Sequence, residues 1–239
     1  KPFMRRGEVS IITQSGGVGL SILNHMAAEG LGLNKFASAG NMLNINAEDL
    51  LEYYIEDEGT RIIFVYLESI GDGRRLMDIA RRSPKPILVL KSNIGRLGRN
   101  IAASHTASLS SDDRVVDAAF RQCGITRVHD VTTLSQYMKT LRLPPLKDKR
   151  MAIISRSGGH AIVAADACET VGFELAEFPE SFIQEIEKHF RASVIKLTNP
   201  LDLGDLFDLD VYYRIVEETL VQANVDGVVF LHTSLTATE

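Results

Sequence analysis

With 239 residues, 45% of them hydrophobic and 24% charged, the chain is long enough to bury a sizeable core, and its composition excludes a disordered, collagen-like or low-complexity polypeptide. The 26 Lys and Arg against 31 Asp and Glu leave a formal net charge of −5 with no long basic run, which excludes a nucleic-acid binder driven by phosphate-backbone attraction. No stretch approaches the roughly 20 apolar residues that span a bilayer, and the basic start, Lys1 to Arg6, leads into a strand rather than a signal-peptide core, so a soluble cytoplasmic protein without membrane or nucleic-acid partners is expected.

Five short apolar runs read as buried strands: Val9–Thr13, Asn34–Ala37, Arg61–Leu67, Pro86–Leu90 and Ile125–Val128. Helical periodicity falls between them at Gly17–Glu29, Ala47–Asp57, Gly73–Arg82 and Asp112–Cys123, with a last helix at Thr132–Leu141. Alternation of this kind with short connections predicts an α/β protein, a flavodoxin-like doubly wound unit whose parallel sheet is covered by helices on both faces, over residues 1–142. Leu143-Pro144-Pro145-Leu146-Lys147-Asp148-Lys149 breaks both periodicities and reads as a linker, 143–149. Cys123 and Cys168 lie in apolar helical stretches without the spacing of a disulfide framework or a metal site, and read as buried thiols.

Past the linker the opening pattern returns. Ile11-Ile12-Thr13-Gln14-Ser15-Gly16-Gly17 is echoed at an offset of 142 by Ile153-Ile154-Ser155-Arg156-Ser157-Gly158-Gly159, and Gly30-Leu31 by Gly172-Phe173. More loosely, Asn41 ahead of an acidic helix is matched by Asn199-Pro200-Leu201-Asp202-Leu203, and Val65-Tyr66-Leu67-Glu68-Ser69 by Phe230-Leu231-His232-Thr233-Ser234. Residues 150–239 are therefore expected to form a second, tandem unit of the same architecture. That unit stops just after its third strand, so it is expected to be incomplete, either because the chain is a piece of a longer polypeptide or because its last strands are missing.

Chemistry-bearing residues gather where strands give way to helices. Ser15, Gly16 and Gly17 follow a strand and open a helix, so free amides and the positive helix end make a candidate phosphate site; the alternative is a tight turn without a ligand. Ser157-Gly158-Gly159 poses the same question in the second copy. The connection from Lys91 to Asp113 is longer than packing requires. Within it, His105 stands between Ser104 and Thr106 as a candidate nucleophile, the alternative being a solvated loop histidine. The other five, His25, His129, His160, His189 and His232, lack such a setting. Glu68 is placed at the end of the third strand, on the edge from which Ser15 and the long loop emerge; a carboxylate there can hold one imidazole nitrogen and sharpen the other, or can simply cap or be solvated.

At these residues the sequence resembles the nucleoside-diphosphate-forming (ADP-forming) acyl-CoA synthetase family, relatives of the succinyl-CoA synthetase α subunit. The strings that carry the resemblance are Ile12-Thr13-Gln14-Ser15-Gly16-Gly17, Ser38-Ala39-Gly40-Asn41 running into Asp49-Leu50-Leu51-Glu52-Tyr53, Tyr66-Leu67-Glu68-Ser69-Ile70 with Asp72-Gly73-Arg74-Arg75, Ala103-Ser104-His105-Thr106, and Thr198-Asn199-Pro200-Leu201-Asp202-Leu203. They run in family order along essentially the whole chain. The resemblance implies that His105 is transiently phosphorylated, with Glu68 as its supporting carboxylate and Ser15-Gly16-Gly17 as the phosphate cradle. It implies a ligase that interconverts acyl-CoA, ADP and phosphate with a carboxylic acid, CoA and ATP through an acyl phosphate.

By the same resemblance CoA, ATP or ADP, and Mg2+ belong to the complete enzyme, with no cofactor held within this chain and no metal site of its own. The implied partners are a CoA-binding Rossmann domain and an ATP-grasp domain, in cis or as a separate subunit, in an oligomeric assembly that acts on a small carboxylic acid or acyl-CoA. The sequence departs from the family in Ala107-Ser108-Leu109-Ser110-Ser111, where a Gly-Ala-Leu-Ala-Gly run is usual, in Asn44, where an aspartate is common, and in the loop start Asn93-Ile94-Gly95-Arg96. Two other readings remain: a regulatory or sensor segment of a synthetase-like protein acetyltransferase, and a plain flavodoxin-like binding module.

Overall fold

The computed structural model describes residues 4–95, 97–98, 112–189, 197–204, 206 and 208–232. The chain divides into two compact units, Lys1–Pro144 and Pro145–Glu239. Residues 143–149 form neither helix nor strand and are exposed.

The first unit runs β1 (Arg6–Thr13), α1 (Gly16–Ala28), β2 (Leu33–Ser38), α2 (Ala47–Glu56), β3 (Ile62–Leu67), α3 (Gly73–Arg82), β4 (Ile87–Lys91), α4 (Asp113–Gln122), β5 (Thr126–Val128) and α5 (Val131–Thr140). All strand pairs are parallel, in the order β2-β1-β3-β4-β5. Central β3 reads Ile-Ile-Phe-Val-Tyr-Leu and is buried throughout, as a parallel strand covered on both faces must be. Its alternation splits the core. Ile63, Val65 and Leu67 join Leu51, Tyr54, Leu76, Ile79 and Phe120 beneath α2, α3 and α4, whereas Ile62, Phe64 and Tyr66 join Ile22, Met26, Leu134 and Met138 beneath α1 and α5. Helix starts are set by side chains that accept orphan amides: Asn46 and Asp49 form a reciprocal capping box on α2, and Asp72, Asp112 and Asp130 cap α3, α4 and α5.

Strand β1 begins at Arg6, before the first apolar residue of its run. Arg6 and Glu8 are polar and exposed and flank Gly7, so periodicity carries no signal for them; this start is held by backbone, with Leu33 N–H donating to the Arg5 carbonyl at 2.8 Å. Gly7 and Gly32 meet there so closely that a Cβ on Gly7 would lie 2.4 Å from the Gly32 Cα.

The second unit comprises β6 (Arg150–Ser155), α6 (Gly158–Thr170), β7 (Glu174–Leu175), α7 (Glu180–Glu187), β8 (Leu201–Asp202), α8 (Leu209–Leu220) and β9 (Gly227–Leu231). Strand β6 pairs with β9 along Met151–Ser155 on one side; on the other it pairs first with β7 and then with β8. The Asn199 carboxamide fills the gap between those two short strands. Its Oδ1 accepts from Ile153 N–H at 3.0 Å, and its Nδ2 donates to the Met151 and Ala176 carbonyls, each at 2.8 Å. A side chain thus completes the ladder where no strand residue is in register.

The duplication extends to individual hydrogen bonds. Helices α1 and α6 both have 13 residues. Thr13 Oγ1 donates to the Ser15 carbonyl and accepts from its N–H, and Ser155 Oγ does the same with Ser157. Both helices are followed by a left-handed glycine, Gly30 at φ 68° and Gly172 at φ 82°. Pairing of Thr13 with Tyr66 is repeated by Ser155 with Leu231, which places Phe230-Leu231 opposite β6 as Val65-Tyr66 lies opposite β1.

Candidate functional site

In a parallel sheet of order 2-1-3-4-5 the chain leaves β1 towards one face and β3 towards the other, which opens a crevice at their C-terminal ends. Ser15, Gly16 and Gly17 stand on one lip. Ser15 is the N-cap of α1, its Oγ accepting from Val18 N–H at 3.4 Å. Gly16 and Gly17 are exposed; a Cβ on Gly17 would meet nothing within 4 Å, and one on Gly16 only Ser38 Oγ at 3.8 Å. First-turn amides at that helix end can therefore be approached by an anion. Gly19, one turn on, has a packing reason instead: its Cβ would lie 2.7 Å from both Phe36 Cζ and Thr13 Cγ2.

Glu68 stands on the other lip, directly after β3 and half-buried. Gln14 bridges the two lips. Its Oε1 accepts from the Glu68 and Ser69 amides, the latter at 2.9 Å, and its Nε2 reaches Met42 Sδ at 3.1 Å and Ser69 Oγ at 3.4 Å. On the opposite side the Glu68 carbonyl accepts from Lys91 Nζ at 2.8 Å and from Asn93 Nδ2 at 3.2 Å. Lys91 is 8% exposed. Burial pulls its ammonium below the ordinary lysine value, against the attraction of Asp113. Burial also raises the Tyr66 phenol, opposed by its hydrogen bond to Ser92 and reinforced by the charge of Glu68.

The crevice thus brings Glu68 to the same sheet edge as Ser15, Gly16 and Gly17. His105 and its neighbours in 99–111 lie outside the described residues. Gln14, Lys91 and Asn93 are the contributors that sequence reasoning passed over. Gln14 had one legible signal, a polar side chain between a buried strand and a glycine turn; Lys91 had another, a charge closing an apolar run.

The second copy differs at the same place. Ser157 makes no capping bond through its side chain. A Cβ on Gly158 would lie 2.8 Å from Asp202 Oδ2, and Asp202 Oδ1 accepts from Gly204 N–H at 3.0 Å. The start of α6 therefore faces a carboxylate of its own unit. Among the described residues no three His, Cys, Asp or Glu side chains are gathered to hold a metal ion, and no described helix is long and apolar enough to cross a membrane. Cys123 and Cys168 are buried free thiols, both raised in pKa by desolvation.

Known proteins are similar to this chain in sequence and in fold. The model of the succinyl-CoA ligase like flavodoxin domain matches residues 6–141. The α subunit of ADP-forming acetate–CoA ligase II from Pyrococcus furiosus is 32% identical over 224 residues, covering 93% of this chain and 49% of that protein. ADP-forming acetate–CoA ligase from Methanocaldococcus jannaschii is 35% identical over 209 residues, covering 86% of this chain and 29% of that protein. The dinucleotide forming acetyl-coenzyme A synthetase 1 of Ca. Korarchaeum cryptofilum, solved in complex with phosphate and ADP, superposes with a TM-score of 0.84 at 31% identity, over 98% of this chain and 52% of that one. The chain spans about half the length, or less, of the relatives it matches. A parallel sheet of order 2-1-3-4-5 with a glycine helix start and a carboxylate at its switch point, and a family match over more than half of the residues, place the chain in the succinyl-CoA ligase-like flavodoxin family.

Proposed function

We propose that this chain is the phosphoryl-carrying part of an ADP-forming acyl-CoA ligase, with His105 as the carrier. In the direction of ATP synthesis a phosphate oxygen attacks the acyl-CoA thioester; the C–O bond forms, the C–S bond breaks and CoA leaves as the thiol. The imidazole of His105 then takes the phosphoryl group from the acyl phosphate and releases the carboxylate. ADP finally takes it from the histidine to give ATP. The chain's own residues serve the middle step: the α1 amides and Ser15 hydroxyl face the phosphoryl oxygens, and Glu68 accepts from the second ring nitrogen, stabilising the imidazolium that forms.

The observation that carries this reading is the fixed placement of Glu68 across the crevice from an open, glycine-rich helix start. CoA, nucleotide and Mg2+ are assigned to segments beyond these residues, a CoA-binding Rossmann domain and an ATP-grasp domain, in cis or as a partner subunit. Two of the relatives are named as α subunits, which supports such an assembly. The substrate is a small carboxylic acid or its CoA thioester, and the setting is the cytoplasm. The complete protein, incubated with γ-labelled ATP and magnesium, should incorporate acid-labile, base-stable phosphate that is lost in His105→Ala. No incorporation with an intact nucleotide-binding partner would overturn the carrier role and favour a sensor function.

A further inference from the structure

We infer that Lys91 is a positioning residue of the phosphoryl site, setting the direction of the Glu68 carboxylate through the Glu68 main-chain carbonyl; the inference rests on the roles given above to Glu68 and His105. Lys91 closes β4 in register with Leu67, so its side chain lies beside the residue that follows β3. Strand-end packing alone would favour a Leu or Met there, because an ammonium only 8% exposed carries a desolvation cost that apolar side chains do not. Its hydrogens go to two main-chain carbonyls, Glu68 at 2.8 Å and Ser92. Asn93, held at φ 59° in the left-handed region, brings a second donor to the same Glu68 carbonyl at 3.2 Å.

From the other lip, Gln14 Oε1 holds the Glu68 and Ser69 amides. Both peptide groups that flank the Glu68 Cα are therefore pinned, and with them the direction of its Cα–Cβ bond. A carboxylate placed just past a strand end would otherwise be free to swing. Burial opposes the Lys91 ammonium most; among the charged groups acting on it Asp113 and Glu68 favour it and Arg127 opposes it, Arg127 being itself bound to Asp113 at 2.7 Å.

Phosphoramidate phosphorylates histidine without nucleotide or partner, so the test needs only this chain. The half-life of the phosphohistidine, followed by 31P NMR, is compared in the parent protein, Lys91→Met, Asn93→Ala, Glu68→Gln, the Glu68→Gln/Lys91→Met pair and His105→Ala. Lys91→Met keeps an unbranched side chain, one atom shorter, and removes its donors; it should shorten the half-life about tenfold, as Glu68→Gln does, and Asn93→Ala should shorten it about twofold to threefold. A residue that acts only through Glu68 adds nothing once Glu68 is gone, so the double variant should match Glu68→Gln. A general loss of fold would persist in that background and would lower the urea midpoint.

A Lys91→Met half-life equal to the parent's, or additive losses in the double variant, overturns the proposal while the role of Glu68 stands. No label on His105, or an unchanged Glu68→Gln, overturns the underlying reading and the proposal with it. Should Lys91→Met fail to fold, Asn93→Ala with and without Glu68→Gln applies the same coupling criterion to the other donor.

Discussion

Asn199→Ala removes the side chain that stands in for a strand residue in the second unit, and its cost follows from the bonds it leaves open. Ile153 N–H loses its 3.0 Å acceptor, and the Ala176 carbonyl loses a 2.8 Å donor, whereas the Met151 carbonyl keeps the Ala176 N–H at 2.9 Å. Ile153 is fully buried and Ala176 is 3% exposed, so water does not replace the lost partners cheaply. One orphaned buried amide costs about 1–3 kcal/mol and one carbonyl bond about 1 kcal/mol, giving a loss of about 2–4 kcal/mol. A unit spanning Pro145–Glu239 has a total stability on the order of 5–14 kcal/mol, so the loss is a large share of it. With a urea m-value of about 2 kcal/mol/M, the unfolding midpoint of this unit should fall by about 1–2 M. Far-UV circular dichroism in urea reads that shift, and hydrogen exchange at the Ile153 amide should accelerate while amides of β3 stay protected. Asn199→Asp keeps an acceptor for Ile153 but sets a carboxylate against two carbonyls, and should be no better than alanine. A midpoint within about 0.3 M of the parent, well below the shift expected from the lost bonds, together with unchanged Ile153 exchange, would refute the reasoning.

Gly19→Ala sets two effects against each other: a helix-propensity gain of about 1 kcal/mol and an overpacking cost of about 1–3 kcal/mol from a Cβ 2.7 Å from Phe36 Cζ and Thr13 Cγ2. The clash with buried Thr13 should win, lowering the thermal midpoint of the first unit; a higher midpoint would show that β1 and β2 yield at no cost. Asp57 accepts from Lys35, Thr60 and Asn34, which hold its carboxyl down at about 2 against an ordinary 3.8. Because the folded value is the lower one, its contribution is present above the unfolded value and disappears as pH falls through about 2. Acid titration of stability should therefore lose part of its slope between roughly pH 4 and 2 in Asp57→Asn, and an identical slope would exclude the ion pair as a source of acid sensitivity.

Much of the architecture was legible because it rests on local physics. Val-Ser-Ile-Ile-Thr and Ile-Ile-Phe-Val-Tyr-Leu are buried on both faces and look so in one dimension, and every described helix except α7, which starts after Pro179, carries its capping residue or its closing glycine in sequence. The repeat was legible for the same reason: the same Ser-Gly-Gly turn at an offset of 142 opens a 13-residue helix in each unit. The edge residues of β1 were not, since backbone pairing of polar residues leaves no periodic mark.

From the amino-acid order alone came the alternation of strands and helices, the duplication, and the glycine-rich helix start, because period, capping and glycine placement act over a few neighbouring positions. Tertiary structure alone decided that Gln14 would reach 54 residues along the chain to hold Glu68 while Lys91 and Asn93 hold it from the far side. It also decided that Asp202 would face the second glycine turn and leave the first one open. Those partnerships depend on strand order and register, which bring the ends of distant strands within hydrogen-bond reach and which no local pattern encodes.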